Sequence, residues 1–235
     1  MKKPKKFMKK LSIIIPVFNE KGTVREIIKR AISAPALDYQ KEIIVVDDGS
    51  SDGTEKILEN LRRKFNFLLL RHPQNLGKGA AIKTALKRVT GDIILTQDAD
   101  LEYDPNDYQE LLRTFSNNSP VVYGSRNLGK AKRGYFLYSL GGRFLTAFLN
   151  TMYGSNLTDI NTGYKLFRTD IIKNINLESN GFEFCEEVTA KILKSGYSIK
   201  EIPIHYYPRK ISQGKKIKFR DGLIALLTIT KYRII

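Results

Sequence analysis

Two aspartates spaced Asp98-x-Asp100 follow the apolar run "DIILT" (92–96). They lie in the stretch "LTQDADLEYDP" (95–105), which puts four carboxylates between Asp98 and Asp104 of a chain whose formal net charge is +16. Two carboxylates just past a strand suit a hard divalent cation, Mg²⁺ or Mn²⁺. Such ions take oxygen ligands, and Mg²⁺ needs only one or two carboxylates, leaving places for phosphate oxygens and water. A solvated turn is the plainer reading, since Asp is common in turns for conformational reasons. Asp104, just before Pro105, reads as a helix cap with proline at the first helical position.

The elements that must position these residues alternate along the first half. "LSIIIPV" (11–17), "EIIVVD" (42–47), "FLLLR" (67–71), "DIILT" (92–96) and "PVVYG" (120–124) read as buried strands. Between them, "TVREIIKRAIS" (23–33), "SDGTEKILENLRR" (51–63) and "KGAAIKTALKRV" (78–89) have apolar residues at helical spacing. Asp52 followed by Glu55 has the spacing of a capping box. Alternating strands and helices with continuous apolar strands predict an α/β fold, a mostly parallel sheet with helices on both faces. Ligands then bind outside the carboxyl ends of the strands. The residues there are Asn19-Glu20, Asp47 to Ser50, Asn75 to Gly79, Asp98 and Asp100, and Gly124 to Arg126. They form an acid-rich rim on a basic protein.

The second half is less regular. "YFLYSLGGRFLTAFLNTMYG" (135–154) carries one charge, Arg143, and reads either as a core helix pair or as an interfacial segment with aromatic anchors. "FCEEVTAKILKSG" (184–196) reads as a helix, "YSIKEIPIHYYPR" (197–209) as one or two strands broken at Pro203, and 221–235 as a C-terminal amphipathic helix that could face a membrane.

The 235 residues suit one large globular domain, 11–220, between a basic N-terminal tail, 1–10, and that last helix. Cys185 stands alone, so neither a disulfide framework nor a cysteine-based zinc site is expected, which fits a reducing, cytoplasmic location. No long apolar region follows the charged start, and no window reaches the roughly 18 apolar residues of a span, so no bilayer crossing by the chain itself is expected. Residues 1–10 and 209–220 each hold six Lys or Arg and no acid. Such blocks suit an anionic partner: nucleic acid, anionic lipid or a phosphorylated substrate. They also suit solubilising tails.

Rival nucleotide folds fail on spacing. The turn after the first strand reads "PVFNEKG", without the glycines of a dinucleotide fingerprint, and none of the Gly-Lys pairs at Gly77, Gly129 and Gly214 is followed by Ser or Thr, as a P-loop requires. No helix-turn-helix, zinc or RNP-type signature is present, so nucleic acid is not expected as a partner.

The chain resembles the family 2 glycosyltransferases, with their nucleotide-sugar-binding GT-A fold. The residues that carry the likeness are "IIIPVFNE" (13–20), "IIVVDDGSSDGT" (43–54), "NLGKGAAIKTAL" (75–86), "GDIILTQDADLEYDP" (91–105) and "GSR" (124–126). Within that family "DINTGYKLFR" (159–168), "GFEF" (181–184), "EIPIHYYPR" (201–209) and "GKKI" (214–217) are similar to the dolichyl- and polyprenyl-phosphate sugar synthases.

The resemblance implies a nucleotide-sugar site of Pro16, Phe18, Glu20, Val46, Asp48, Ala99 and Glu102. Phe18 replaces the usual Tyr, and Glu102 stands where close relatives often carry Gln. It implies that Asp98 and Asp100 hold the metal, that Arg126 and Arg209 contact a diphosphate or acceptor phosphate, and that the reaction inverts the anomeric centre. Guanidinium groups suit such phosphates because they bind them bidentately. The partners implied are a GDP- or UDP-hexose and a polyprenyl phosphate. Attachment at the cytosolic face of a membrane is expected to be peripheral or through a membrane-anchored partner. A same-fold enzyme acting on a saccharide or protein is the alternative. A hydroxyl acceptor calls for a carboxylate base, with Glu183, Glu186 and Glu187 as candidates.

Overall fold

In a computed structural model the chain forms one seven-stranded sheet flanked by helices; residues 9–129, 136–209 and 219–235 are described. The strands are β1 (Lys10–Val17), β2 (Gln40–Asp47), β3 (Leu68–Arg71), β4 (Ile93–Thr96), β5 (Val121–Ser125), β6 (Lys165–Arg168) and β7 (Lys200–Pro203). Their order is β3-β2-β1-β4-β6-β5-β7. The block β3-β2-β1-β4 is parallel, as the apolar runs predict. β6 runs antiparallel to both β4 and β5 and separates them. The fifth strand therefore does not lie beside the fourth, and its place is taken by a strand that apolar patterning passes over.

Side-chain alternation sorts the sheet's two faces. Ile13 and Ile15 of β1 are fully buried against α1 (Val24–Ser33), α2 (Thr54–Arg62) and α4 (Tyr108–Thr114). Ile14 points the other way, into a cluster with α3 (Lys78–Leu86), α6 (Thr169–Asn174) and α7 (Phe184–Lys194). Both faces are covered, so the strands can be apolar throughout.

The end signals hold in part. Asp104 Oδ1 accepts from Asn106 N at 3.0 Å, capping the 3₁₀ turn Pro105–Asp107 that leads into α4. Asp52 accepts from Thr54 N at 2.9 Å, but Gly53 is the capping residue and Glu55 pairs with Arg71 at 3.1 Å, so no capping box forms. Lys10, placed in the tail by composition, is the first residue of β1 and pairs with Glu42 at 2.8 Å. The rest of that tail, and the "GKKI" of the second basic block, lie outside the described residues.

The aromatic segment forms one helix, α5 (Phe136–Tyr153), rather than a pair. Leu145 and Leu149 pack with Ala225 and Ile229 of α8 (Phe219–Ile234), while Leu140, Phe144, Leu223 and Leu227 are more than half exposed. The last helix thus packs against α5. Among the described residues no helix is long and apolar enough to cross a membrane.

Candidate active site

The loops after β1 and β2 are stitched together before any ligand is considered. Asn19 takes the left-handed conformation (φ 50°), which its short polar side chain tolerates. Its N–H donates to Ser50 Oγ at 3.0 Å, and its Oδ1 accepts from Ser51 N at 2.8 Å. Glu20 N donates to Thr54 Oγ1 at 3.0 Å. Pro16 and Phe18 are half-buried on this rim. Val46 is fully buried in the cluster under α3. Asp48 is committed to the next loop: it accepts from Leu76 N at 2.9 Å and Gly77 N at 2.8 Å, and His72 Nδ1 lies 2.7 Å away.

The end of β4 is locked by buried polar groups. Gln97 Oε1 accepts from Tyr108 at 2.6 Å and Tyr164 at 2.7 Å, and its Nε2 donates to Asp98 O at 2.9 Å. Thr96 Oγ1 donates to Gly163 O at 2.6 Å. The Asp98 carboxylate lies over Gly163, where a β-carbon would sit 2.2 Å from Asp98 Oδ2. Ala99 is buried beneath the turn.

Asp98, Asp100, Glu102, Glu20, Lys78 and Arg209 form one charged group. Lys78 Nζ lies 2.5 Å from Asp98 Oδ1. Arg209 Nη1 lies 3.0 Å from Glu20 Oε2, and Nη2 lies 3.2 Å from Asp100 Oδ2. Its Nε is buried without a hydrogen-bond partner among the described residues. Burial, Asp98 and Glu102 push the Asp100 carboxyl up to about 7, with Arg209 opposing them.

Glu102 holds the chain that carries Arg209. It accepts from Tyr206 Oη at 2.8 Å and Arg209 N at 2.9 Å, while its own carbonyl takes Tyr207 N at 2.8 Å. Arg126 lies farther along the edge, held by Asp159 through Nε and Nη2, both at 2.7 Å. Its guanidinium stands 5.3 Å from the Tyr206 ring centre. Burial raises the Asp159 carboxyl, but Arg126 outweighs it and holds the group below its usual value.

Among the described residues four carboxylates here face two cations, leaving two formal negative charges. That donor set fits a divalent cation held by Asp98 and Asp100. Among the described residues no cluster of three or more His, Cys, Asp or Glu is arranged to hold a metal alone, so oxygens from a ligand would complete the shell.

Residues 12–175 match the family described as glycosyl transferase family 2. The chain belongs to glycosyl transferase family 2. Family 2 relatives include the low-salt glycan biosynthesis hexosyltransferase Agl6 of Haloferax volcanii, 32% identical over 90% of this chain and 51% of that protein. The dolichol-phosphate mannosyltransferase of Pyrococcus furiosus is 28% identical over 88% of this chain and 59% of its own. The dolichyl-phosphate beta-glucosyltransferase ALG5A of Trichomonas vaginalis is 28% identical over 93% and 71%. The chain thus spans about half to three fifths of the first two relatives. A similar fold is seen in the crystal structure of glucosyl-3-phosphoglycerate synthase from Mycobacterium tuberculosis with Mn²⁺, UDP and glucosyl-3-phosphoglycerate, at TM-score 0.75, 18% identity, 97% of this chain and 81% of that one.

Reading the sequence singled out the aspartates, Glu20 and both arginines. It places Lys78 on the rim without a role and gives none to Gly163, Asp159 and Gln97. All four lie within the quoted "NLGKGAAIKTAL", "GDIILTQDADLEYDP" and "DINTGYKLFR", and only the folded chain shows what they touch.

Proposed function

We propose that this family 2 glycosyltransferase moves a hexose, mannose or glucose, from a GDP- or UDP-sugar to a polyprenyl phosphate, dolichyl or undecaprenyl, with inversion and with Mg²⁺ or Mn²⁺. The observation that carries the reading is the convergence of Asp98, Asp100, Glu20 and Arg209 at the carboxyl end of the parallel strands. Pro16, Phe18, Glu20 and Asp48 would receive the base and ribose. Asp98 and Asp100 would hold the cation against the donor's diphosphate, where it neutralises charge on the leaving group. Arg209 would trade its carboxylate partners for phosphate oxygens, and Arg126, with Nη1 outside the Asp159 fork, would meet a second phosphate.

An acceptor phosphate oxygen attacks the anomeric carbon as the bond to the donor's β-phosphate oxygen breaks, and the nucleoside diphosphate leaves. A lipid phosphate is already anionic near neutrality, so no strong base is needed. Of the three candidate bases, Glu187 and Glu183 are already engaged by the protein. Glu187 accepts from Glu178 N and Ser179 N, both at 2.7 Å, and pairs with Lys191. Glu186 is buried, which pushes it up to about 7, and it has Lys165 nearby. Glu183 accepts from Gly181 N at 3.0 Å. The names of two relatives, a dolichol-phosphate mannosyltransferase and a dolichyl-phosphate glucosyltransferase, support the same acceptor.

Peripheral attachment at the cytosolic face of a membrane, directly or through a membrane-anchored partner, is supported by the exposed Leu140, Phe144, Leu223 and Leu227 and by Arg143 and Arg220 on the same two helices. Each such basic residue contributes about 1 kcal/mol near an anionic surface.

Thermal melts with GDP- and UDP-hexoses plus Mn²⁺ test the donor and metal reading. One of these sugars is expected to raise the midpoint by about 3 °C or more, because a ligand that binds only the native state stabilises it. The rise should vanish in Asp98→Asn. No shift with any sugar, or an equal shift in Asp98→Asn, counts against the site.

A further inference from the structure

Both aspartates of the 98–100 turn already have cations against them, and the two cations are held differently. Arg209 divides itself among Glu20, Asp100 and Glu102. Lys78 makes one close contact with a carboxylate, Asp98 Oδ1 at 2.5 Å. Its side chain is 15% exposed and that of Asp98 is 20%, so the pair sits inside the rim.

The backbone beneath Lys78 has little freedom. Gly77 takes φ +101°, and a β-carbon there would stand 2.3 Å from Asn180 O; one on Gly79 would stand 2.5 Å from Ser179 O. The first N–H groups of α3 are used by the protein itself: Gly79 N donates to Gly181 O at 3.2 Å and Ala80 N to Asn180 O at 3.0 Å. The amide groups are therefore not waiting for a phosphate. What can move is the four-carbon stem of Lys78, which carries a compact point charge with three donors.

We propose that Lys78 is the built-in counter-cation of the metal site. It neutralises Asp98 while the site lacks metal, swings off that oxygen when a divalent cation takes it, and is then received by the anionic diphosphate of the donor. The proposal rests on the donor and metal reading above. Its logic is competition. A lysine ammonium and a divalent cation cannot share one carboxylate oxygen without strong repulsion. Bare metal is thus held off, and metal and nucleotide enter together. By linkage, each raises the affinity for the other by the same factor.

The test is Mn²⁺ binding to the full chain, read from the electron paramagnetic resonance signal of free Mn²⁺, with and without UDP or GDP. Lys78→Gln is expected to bind Mn²⁺ alone about tenfold more tightly than the unmodified protein, since a like charge at this range shifts a site by one or more log units. With Mn²⁺ present, the same variant should bind the nucleotide about tenfold more weakly. Lys78→Arg keeps the charge and should stay within about threefold of the original on bare Mn²⁺. A damaged fold cannot produce the gain in metal affinity. Unchanged or weaker bare-metal binding by folded Lys78→Gln overturns the proposal.

A second measurement needs no variant. Acetylation of Lys78 by an amine-reactive ester, mapped by peptide mass spectrometry, should be slow without metal. It should be at least about threefold faster with Mn²⁺ alone and slow again once UDP or GDP is added. Equal reactivity in all three states also overturns it. Failure of the underlying reading has a different signature: the unmodified protein then binds no Mn²⁺ with either nucleotide.

Discussion

Asp100→Ala is expected to lower kcat/KM for sugar transfer by about a thousandfold or more, the scale on which loss of a charge-stabilising group acts. The fold should not suffer with it. Burial, Asp98 and Glu102 together push the Asp100 carboxyl up to about 7 in the folded protein, against an ordinary value of 3.8. A carboxyl raised on folding favours the fold while it stays protonated, and that advantage is lost as pH rises through about 7. At pH 8 the ionised Asp100 therefore weakens the metal-free protein, and its removal relieves the charge cluster. Arg209 keeps Glu20 and Glu102 as partners. The expected result is an inactive variant whose melting midpoint at pH 8, without metal, equals or exceeds that of the unmodified protein, and whose relative stability falls toward pH 5. Steady-state kinetics and melts at the two pH values check both halves. Near-normal turnover with metal present would remove the metal role from Asp100.

Gly163→Ala is expected to lower activity by about a hundredfold, the loss that a displacement of about 1 Å can produce, and to destabilise the fold by roughly 1–3 kcal/mol, as overpacking does. A β-carbon at this position would lie 2.2 Å from Asp98 Oδ2 and 2.9 Å from Tyr103 Cε2. The backbone cannot retreat easily, because both its polar groups are engaged: Gly163 N donates to Tyr103 Oη at 2.9 Å while Gly163 O accepts from Thr96 Oγ1 at 2.6 Å. The carboxylate must move, and the Lys78 contact with it. Gly141→Ala is the control. Among the described residues nothing beyond its chain neighbours and its own helix backbone lies within 4 Å of its β-carbon, and alanine favours a helix, so activity should be unchanged. Kinetics together with denaturant melts separate the two effects. Full activity in Gly163→Ala would show that Asp98 need not stay where it is.

How much of this was legible in the sequence follows from the range of the contacts. The first four strands and their helices announce themselves by local apolar periodicity, and the rim residues follow from the rule that parallel sheets open at their carboxyl ends. β6 does not announce itself. Its first residue, Lys165, looks like surface but is buried, with Nζ donating to Ile160 O at 2.6 Å and standing 3.9 Å from the Tyr123 ring centre. Asp98 and Asp100 could be picked out because a single residue, Ala99, separates them. Glu102 and Arg209 are 107 positions apart, and nothing in either neighbourhood says that one anchors the other. Gly163 looks like a turn glycine until Asp98, far away in the sequence, is folded over it. Glu55 failed as a capping partner for a similar reason: Arg71, in the neighbouring strand, offers it a full charge.

The most direct test of the central claim is transfer of labelled hexose from a GDP- or UDP-sugar to a polyprenyl phosphate in detergent, followed by extraction into organic solvent. Label is expected to enter the organic phase only with Mg²⁺ or Mn²⁺, to be released by mild acid as a sugar phosphodiester should be, and to be absent with Asp100→Ala. Label that stays in the aqueous phase with every polyprenyl phosphate, while a soluble saccharide or protein becomes labelled, would contradict it.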